Sequence, residues 1–256
     1  MKNKKDKDII NVYWAPGYKK TFENPEDWSM LYPDPVNLYT DLTKSRNLAA
    51  KTDSFLVCPA TKDLFKKTYV FKNVINCKYE YDFSGNNNII TPLTEEFLHS
   101  FVNREPSITT GPLIRVALSY VLFADQPLLT TFTNPTFSKP EYTKYGTPVP
   151  GEFDIGQWFR PYTMEMQMWD KKGTFELKEN EPLVYVKFNT DKEIRLHRFN
   201  LNDDLWGYID HCIAYKVLFG PIKPLAERYN KFKQSRLADT ILTEIKKNVV
   251  GGTNES

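Results

Sequence analysis

Apolar and polar residues alternate with a period of two through much of the chain, most clearly between residues 163 and 199. Such alternation is typical of strands that bury one face. Strands are predicted at 9–14, 68–72, 77–83, 113–123, 128–133, 163–169, 174–178, 183–188 and 193–199. Turn residues separate the last four strands at short intervals, which favours an antiparallel sandwich or barrel.

A helical period replaces this alternation near the end of the chain. Asn202 or Asp203 is a suitable N-cap for a helix predicted from 204 to about 218. A second helix, from about 225 to 248, carries its apolar residues on one face with a single interruption of the period. Shorter helices are predicted at 36–42, at 60–66 and from 94 to 102, and Pro59 suits the first turn of the helix at 60–66.

These elements predict an α+β fold, in which an antiparallel β-sandwich or distorted barrel is closed by two C-terminal helices. Residues 9–248 are expected to form one domain, with a β-rich core at 113–199 and the helical pair at 203–248. Flexible tails are expected at 1–8 and 249–256. A chain of 256 residues can bury enough apolar surface to fold without a disulfide or a metal.

Aromatic residues are abundant, at 14% of the sequence. They pack well on pleated sheets and are enriched in the buried centres of protein interfaces. Because the sequence contains no recognisable active-site motif, we predict self-association, with a homo-oligomer as the expected state. Two regions are candidates for the contact surface: the segment 142–169, which contains Trp158, and the second C-terminal helix, which contains Phe232. A monomer whose aromatic residues all lie in the core is the alternative.

Charge argues against nucleic acid as a partner. The formal net charge is only +2, and the basic residues gather at the two ends, where a solvated tail and a solvated helix face explain them. No apolar run approaches the roughly 20 residues that cross a bilayer, so no membrane partner is expected. The charged N-terminus lacks the apolar stretch of a secretion signal. The odd number of cysteines, three, suits a reducing compartment.

The usual catalytic and metal-binding motifs are missing from the sequence. The histidines His99, His197 and His211 lack the spacing of a metal site, and we expect neither a metal nor an organic cofactor. Hydrolase, dinucleotide and P-loop motifs are also absent. Cys58 precedes Pro59 at a predicted helix start, a position that lowers a thiol pKa, although free cysteines are more often buried structural residues.

The segment GEFDIGQWFRPY is the best candidate for a binding site. It places Arg160 among three aromatic residues, Trp158, Phe159 and Tyr162. An arginine in this setting can stack on the rings or hold an anion, so the segment predicts a recognition surface for a sugar, a nucleotide or a protein. The alternative is a structural arginine that ties the long loop to the first strand of the sheet.

Four stretches of the chain form a distinctive set: VYWAPGY, FLVCPATKDLFKKTYVFKN, FSKPEYTKYGTPVPGEFDIGQWFRPY and NEPLVYVKFNTDKEI. In these stretches, and over roughly residues 11–231, the chain resembles a family encoded by tailed phages, especially marine phages and cyanophages. No activity is established for that family. The resemblance implies a virion component or a factor made in the infected cell, in the virion or the host cytoplasm, with a phage or host protein as partner. The run GTFELKENEPLVYVKF is also similar to the strand–turn–strand rhythm of cupin-type double-stranded β-helices.

Three functional hypotheses follow. The first is a phage-encoded, non-enzymatic protein that acts by self-association or protein binding. The second is a jelly-roll-like module that binds a small molecule or a carbohydrate. The third is a metal-independent enzyme that uses carboxylates or Cys58. A deep pocket lined by Arg160, Trp158 and Glu165 would favour the second or third hypothesis, whereas a flat apolar face in a symmetric contact would favour the first.

Overall fold

A computed structural model gives the positions of residues 9–17, 28–45, 56, 58–84, 89–93, 102–105, 111–213 and 224–251. The predicted tail at 1–8, most of the helix predicted from 94 to 102, the last five residues of the chain and His99 lie outside these ranges.

The described part contains fourteen strands and five α-helices. The strands are β1 (Ile9–Pro16), β2 (Val36–Asn37), β3 (Thr68–Lys72), β4 (Cys77–Asp82), β5 (Ile89–Pro92), β6 (Val102–Glu105), β7 (Leu113–Ala124), β8 (Leu129–Thr133), β9 (Gly146–Pro148), β10 (Gly151–Asp154), β11 (Pro161–Met168), β12 (Lys172–Leu177), β13 (Pro182–Phe188) and β14 (Glu193–Arg198). The helices are α1 (Leu38–Ser45), α2 (Pro59–Lys66), α3 (Asp203–Ile213), α4 (Leu225–Gln234) and α5 (Leu237–Lys247).

The longest strand, β7, organises the first sheet, whose order is β14–β1–β7–β11–β9. Its second half pairs with β1, its first half pairs with β6 on the same edge, and β11 pairs along the opposite edge. Strands β1 and β14 are parallel, and the other pairs of this sheet are antiparallel. The second sheet has the order β10–β8–β13–β3–β2 and the third β12–β4–β5, both antiparallel.

The main core lies between the first sheet and the other two. Successive side chains of a strand point to opposite faces, so alternate residues of β7 enter different cores. Tyr120 and Leu122 join the core between the sheets, whereas Val121 and Phe123 join a second core beneath the C-terminal helices. The first sheet is therefore buried on both faces.

Helices cover the two outer faces of this sheet stack. The second core contains buried residues of α3, α4 and α5, among them Leu205, Phe232 and Ile241. On the other side, α1 and α2 cover the second sheet, where Phe65 packs with Val70. None of the described helices combines the length and the apolar character needed to span a membrane.

The predicted α+β fold with a sandwich-like arrangement of antiparallel sheets is confirmed. The strand predicted at 113–123 is present as β7. The β-rich part of the chain, however, begins well before residue 113, because β1, β3 and β4 each contribute to one of the sheets. The predicted cap of α3 is Asn202, whose Oδ1 accepts a hydrogen bond from the Leu205 amide at 2.9 Å.

The helix predicted from 225 to 248 is two helices, so three helices follow the last strand in the described part of the chain. Ser235 has an extended backbone (φ −89°, ψ 163°), and its amide closes α4 on the carbonyls of Lys231 and Phe232. Its hydroxyl then accepts a hydrogen bond from the amide of Leu237, which begins α5. Ser235 thus hydrogen-bonds to groups at the end of α4 and at the start of α5, which lets the chain change direction between the two helices. The interruption in the helical period of the sequence lies at this break.

Two residues of the predicted C-terminal tail are hydrogen-bonded to the end of the first sheet. Val249 forms a β-bridge with Phe199, and the amide of Val250 donates to the carbonyl of Arg198 at 2.8 Å. The ordered part of the chain therefore extends past residue 248.

Candidate functional site

The segment that carries Arg160 is held in place by a turn at the end of β10. Oδ1 of Asp154 accepts hydrogen bonds from the amides of Leu128 (2.8 Å) and Gly156 (2.9 Å). Gly156 lies against the backbone of Gln126 so closely that a Cβ atom would overlap the Gln126 carbonyl. This tight turn directs the following residues across the edges of two sheets toward α4.

The four predicted binding residues do not all face the same way. Phe159 is fully buried in the second core, where its ring meets Phe123 edge to face at 5.4 Å, so its role is structural. Trp158, Arg160 and Tyr162 instead line one cleft. Three of the four predicted residues are therefore brought together, and the fourth is separated from them by the alternation of side chains along the chain.

The cleft has a volume of about 730 Å³ and opens between the two main sheets. One side is formed by β8 and β10 of the second sheet, the opposite side by β11 of the first sheet, and α4 closes one end. Glu165, on β11, is also among the lining residues. We call this space the Arg160 cleft. Its lining includes Arg160, Trp158 and Glu165, the three residues expected to line a ligand-binding or catalytic pocket.

Aromatic rings form the inner wall of the Arg160 cleft. Phe132 stacks between two other rings, with Phe153 at 4.9 Å and Tyr162 at 3.8 Å between centroids. Trp158 contributes another wall, and its ring packs edge to face on Tyr229 of α4 at 5.5 Å. Burial raises the pKa of Tyr162 above its ordinary value, and the charge of Glu165 adds to that effect, so this phenol stays neutral.

Apolar side chains continue to the rim of the cleft. Leu129, Val149 and Leu225 line it and are 44%, 39% and 48% exposed. They come from three different parts of the chain, and the fold brings them to one opening. Exposed apolar residues that gather around a concavity are typical of ligand sites and interaction surfaces.

Arg160 is the central charge of the cleft. Burial lowers the pKa of its guanidinium, and the positive charges of Arg115 and Arg228 lower it further, while Glu165 opposes the shift. An arginine nevertheless stays protonated at neutral pH. Arg160 makes no hydrogen bond or ion pair with any residue that the structure describes. The alternative role, a tie between the loop and the first strand, would require such a contact.

The carboxylates around the cleft are already engaged. Glu165 accepts a hydrogen bond from Nη2 of Arg115 at 3.2 Å, and Glu152 accepts one from the hydroxyl of Thr131 at 2.6 Å. Asp154 is occupied by the turn described above. The positive charge of Arg160 is thus not neutralised by a direct partner among the described residues, which leaves it available for an anion.

Cysteine nucleophiles are not part of the Arg160 cleft. Burial raises the pKa of Cys212 to about 11, so this thiol is protonated at neutral pH. Cys58 is exposed at the start of α2, where hydrogen bonds from the Thr61 and Ala60 amides lower its pKa. Cys58 does not line the cleft. The cleft therefore offers polar groups and an aromatic wall, with no cysteine among its described lining residues.

The two histidines in the described ranges, His197 and His211, do not line the Arg160 cleft. His197 stacks on Tyr13 at 5.3 Å and its Nε2 lies 2.9 Å from Oδ1 of Asn11, which fixes the ring on the edge strand of the first sheet. His211 lies on α3 beside a second cavity. Within those ranges, no three His, Cys, Asp or Glu side chains come together as a metal site would require.

The two aromatic residues named for self-association are buried, although Val149 and Trp169 of the segment 142–169 are 39% and 56% exposed. Trp158 and Phe232 are only 4% and 5% exposed, and their rings pack against each other at 5.6 Å. The apolar face of the C-terminal helices is buried on the first sheet, where Ile241 and Ile245 have no exposed surface. Substitution of either aromatic residue would therefore damage the core, so such a variant cannot report on a contact surface.

Half of the cleft was not predictable from the sequence. Tyr229 and Leu225 approach from α4, more than sixty residues after Arg160, and Phe132 comes from β8. Nothing in the local pattern around these residues distinguishes them from ordinary helix or strand residues. Their role appears only when the strand order and the packing of α4 are known.

Comparison with known proteins leaves the cleft to be interpreted from its own residues. No family model, no curated protein and no solved structure matches this chain.

Proposed function

We propose that this protein binds a small organic anion with a flat apolar body in the Arg160 cleft. The observation that carries the proposal is that the guanidinium of Arg160, inside an aromatic-walled cleft of about 730 Å³, makes no hydrogen bond or ion pair with a described residue. That volume is within the range of clefts that hold small organic ligands. The proposal corresponds to the second hypothesis from the sequence, a small-molecule binding module, and specifies the charge of its ligand.

The position of Arg160 in the cleft is electrostatically unfavourable when the cleft is empty. Burying a charged group without a hydrogen-bonding partner costs free energy, and here the repulsion from Arg115 and Arg228 adds to that cost while the charge of Glu165 partly opposes it. An oxyanion bound at the guanidinium would remove this cost, because a carboxylate accepts two parallel hydrogen bonds from an arginine. Sites that are unfavourable for the empty fold are commonly functional ones.

The shape of the cleft argues for an aromatic or similarly flat ligand. Tyr162 and Trp158 present apolar surface next to Arg160, and three exposed apolar residues continue that surface to the rim. Offset stacking on such rings contributes beyond simple burial of area. A neutral sugar would use the aromatic wall but leave Arg160 without its counter-charge, so an anionic ligand fits the cleft better.

Isothermal titration calorimetry with 2-naphthoate and with its neutral analogue 2-naphthalenemethanol tests the proposal. The naphthoate should bind about ten- to a hundredfold more tightly, which corresponds to one charge-assisted contact. Arg160→Met should abolish that difference. The matched control is Arg195→Met, because Arg195 is an exposed arginine on β14 that contacts Glu193 and does not line the cleft.

Three outcomes would contradict the proposal. Equal affinity of the acid and the alcohol would show that Arg160 does not select a charge. Loss of naphthoate binding in the Arg195 variant as well would show that the anion binds by general surface attraction. Failure of both compounds to bind at millimolar concentration would remove the cleft as a site for this class of ligand.

Self-association and a phage source stay predictions from the sequence. Sedimentation at micromolar concentration distinguishes an oligomer from a monomer of 29.9 kDa. If the resemblance to the tailed-phage family holds, the ligand of the Arg160 cleft belongs to the infected bacterium or to the virion. The binding proposal does not depend on either point, because the cleft is formed within one chain.

A further inference from the structure

One strand edge beside the Arg160 cleft, that of β10, has backbone groups that point away from its partner strand. In an antiparallel pair, residues whose N–H and C=O groups face the partner alternate with residues whose groups face away from it. The amide of Ile155 donates to the carbonyl of Leu128 at 3.0 Å, so the odd-numbered residues of this stretch face β8. The amide and carbonyl of Glu152 therefore face the opposite way, on the outer edge of the second sheet.

The first half of β11 presents a similar edge on the first sheet. The amide of Val149 donates to the carbonyl of Glu165 at 2.7 Å, which is the last contact of β11 with the β9 side before the chain turns into β10. Thr163 lies two residues earlier on the same edge, and its neighbours Tyr162 and Met164 both pair with β7. The amide and carbonyl of Thr163 therefore face away from β7, where no described strand pairs with β11.

The two edges lie close together at the corner where the chain crosses from the first sheet to the second. Glu152 and Thr163 both line the Arg160 cleft. Their neighbours in the chain, Phe153 and Tyr162, both stack on the ring of Phe132, at 4.9 Å and 3.8 Å between centroids. A ligand with its own backbone-like amide would therefore meet hydrogen-bonding groups of the main chain on two sides of the cleft.

We infer that the ligand of the Arg160 cleft is an N-acylated aromatic amino acid with a free carboxylate, as a small molecule or as the last residue of a peptide. This inference rests on the proposed function and specifies its ligand: the carboxylate lies at Arg160 and the ring on the aromatic wall. A trans amide directs its N–H and C=O to opposite sides, so one edge accepts from the N–H and the other donates to the C=O. Sheet edges bind extended peptides by such main-chain hydrogen bonds, and nearby pockets select the side chain.

Calorimetry with a series of related ligands separates the amide from the carboxylate. N-acetyl-L-phenylalanine should bind about tenfold more tightly than 3-phenylpropanoate, which has the ring and the carboxylate but no amide, because two backbone hydrogen bonds together contribute about this factor. Methylation of the amide nitrogen removes the only amide donor of the ligand and should weaken binding by about threefold or more. Both comparisons use the unaltered protein, so neither depends on the folding of a variant.

Proline substitutions remove the amide donors of the two edges one at a time. Proline is tolerated on a strand edge where the N–H faces outward, so Glu152→Pro and Thr163→Pro should keep the fold, which circular dichroism checks. In one of them, the ratio of the affinities for N-acetyl-L-phenylalanine and 3-phenylpropanoate should fall about threefold or more. Glu152→Ala and Thr163→Ala are the matched controls, because they lose the same side chains but keep the amides, and their ratio should stay at about ten.

The acetylated tripeptide alanyl-alanyl-phenylalanine distinguishes the two sources of such a ligand. Tighter binding than that of N-acetyl-L-phenylalanine would show that pairing continues along the strand edge, and would indicate the carboxyl terminus of a protein. Equal or weaker binding would indicate a small acylated amino acid. Either result supports the inference when the amide effect is present.

The inference is overturned if N-acetyl-L-phenylalanine and 3-phenylpropanoate bind equally, if methylation of the amide has no effect, or if both folded proline variants keep the affinity ratio. In these cases the proposed function still stands, provided that Arg160→Met weakens the binding of 3-phenylpropanoate. Arg160→Met that leaves both affinities unchanged would instead contradict the proposed function, and with it the position of the carboxylate in this inference. Binding of neither ligand at millimolar concentration would also overturn the inference.

Discussion

Replacing Arg160 by methionine is expected to stabilise the protein, whereas the same substitution at Arg198 is expected to destabilise it. Both arginines are partly buried next to aromatic rings, but their partners differ. Arg198 donates to the carbonyls of Tyr32 (3.1 Å) and Ser29 (2.8 Å) and lies 4.9 Å from the ring centroid of Trp14. Arg160 has no hydrogen bond or ion pair in the described part of the chain.

The expected magnitudes follow from these contacts. Hydrogen bonds from a charged donor contribute about 1.5–3 kcal/mol, and a cation–π contact contributes about 0.5–1 kcal/mol. Methionine retains part of the packing on Trp14, so we expect Arg198→Met to cost about 2–4 kcal/mol. Arg160→Met removes a desolvation cost and the repulsion from Arg115 and Arg228, but also the attraction to Glu165, so a modest net gain of about 0.5–2 kcal/mol is expected, as for other single stabilising substitutions.

Thermal unfolding followed by circular dichroism measures both effects. For a chain of this size, 1 kcal/mol changes Tm by about 2–4 °C. Arg160→Met should therefore raise Tm by about 1–8 °C, and Arg198→Met should lower it by about 4–16 °C. A drop in Tm for Arg160→Met comparable to that of Arg198→Met would refute the reasoning. It would show that Arg160 is a structural clamp, and the proposed anion site would lose its main support.

Three further predictions concern the rest of the fold. At about pH 7.5, iodoacetamide should modify Cys58 and spare the two buried cysteines, and the rate of Cys58 modification should fall as the pH drops below the lowered pKa of this thiol. Peptide mass spectrometry measures the labelling of each cysteine. Early labelling of a buried cysteine would contradict the prediction. Tyr120→Phe removes the 2.8 Å hydrogen bond from the Tyr120 hydroxyl to the Lys72 carbonyl, which joins β7 to β3. This substitution should lower the free energy of unfolding, measured in urea, by about 1 kcal/mol. An unchanged urea midpoint would count against this role of the hydrogen bond. Ile241 is fully buried, so Ile241→Ala should lower the free energy of unfolding by about 2–5 kcal/mol in the same assay. A decrease of less than about 1 kcal/mol would mean that the C-terminal helices pack only loosely on the first sheet.

Much of the secondary structure is predictable because it depends on local patterns. β7 and β13 are recognisable from their apolar and β-branched residues, and α2 from the proline in its first turn. The break at Ser235 is visible in the sequence only as a slip in the helical period. Deciding that it separates two helices required the hydrogen bonds that Ser235 makes to both helix ends.

The candidate site was only partly predictable. The proximity of Trp158, Arg160 and Tyr162 is a local property of one segment, and the sequence identified it. The partition of Phe159 to the opposite face, and the position of Trp158 against α4, depend on which layer covers each side of the segment.

The sequence by itself determined the α+β class, most strand positions and the arginine at the centre of an aromatic segment. These features follow from alternation, helix period and residue type, which act over a few neighbouring positions. The tertiary structure alone decided that Arg160 makes no hydrogen bond or ion pair with a described residue, and that Phe132 and Tyr229 complete its cleft. The physical reason is that the pairing of charges and the exposure of rings depend on long-range contacts between layers, and such contacts are fixed by strand order and helix packing rather than by any local pattern.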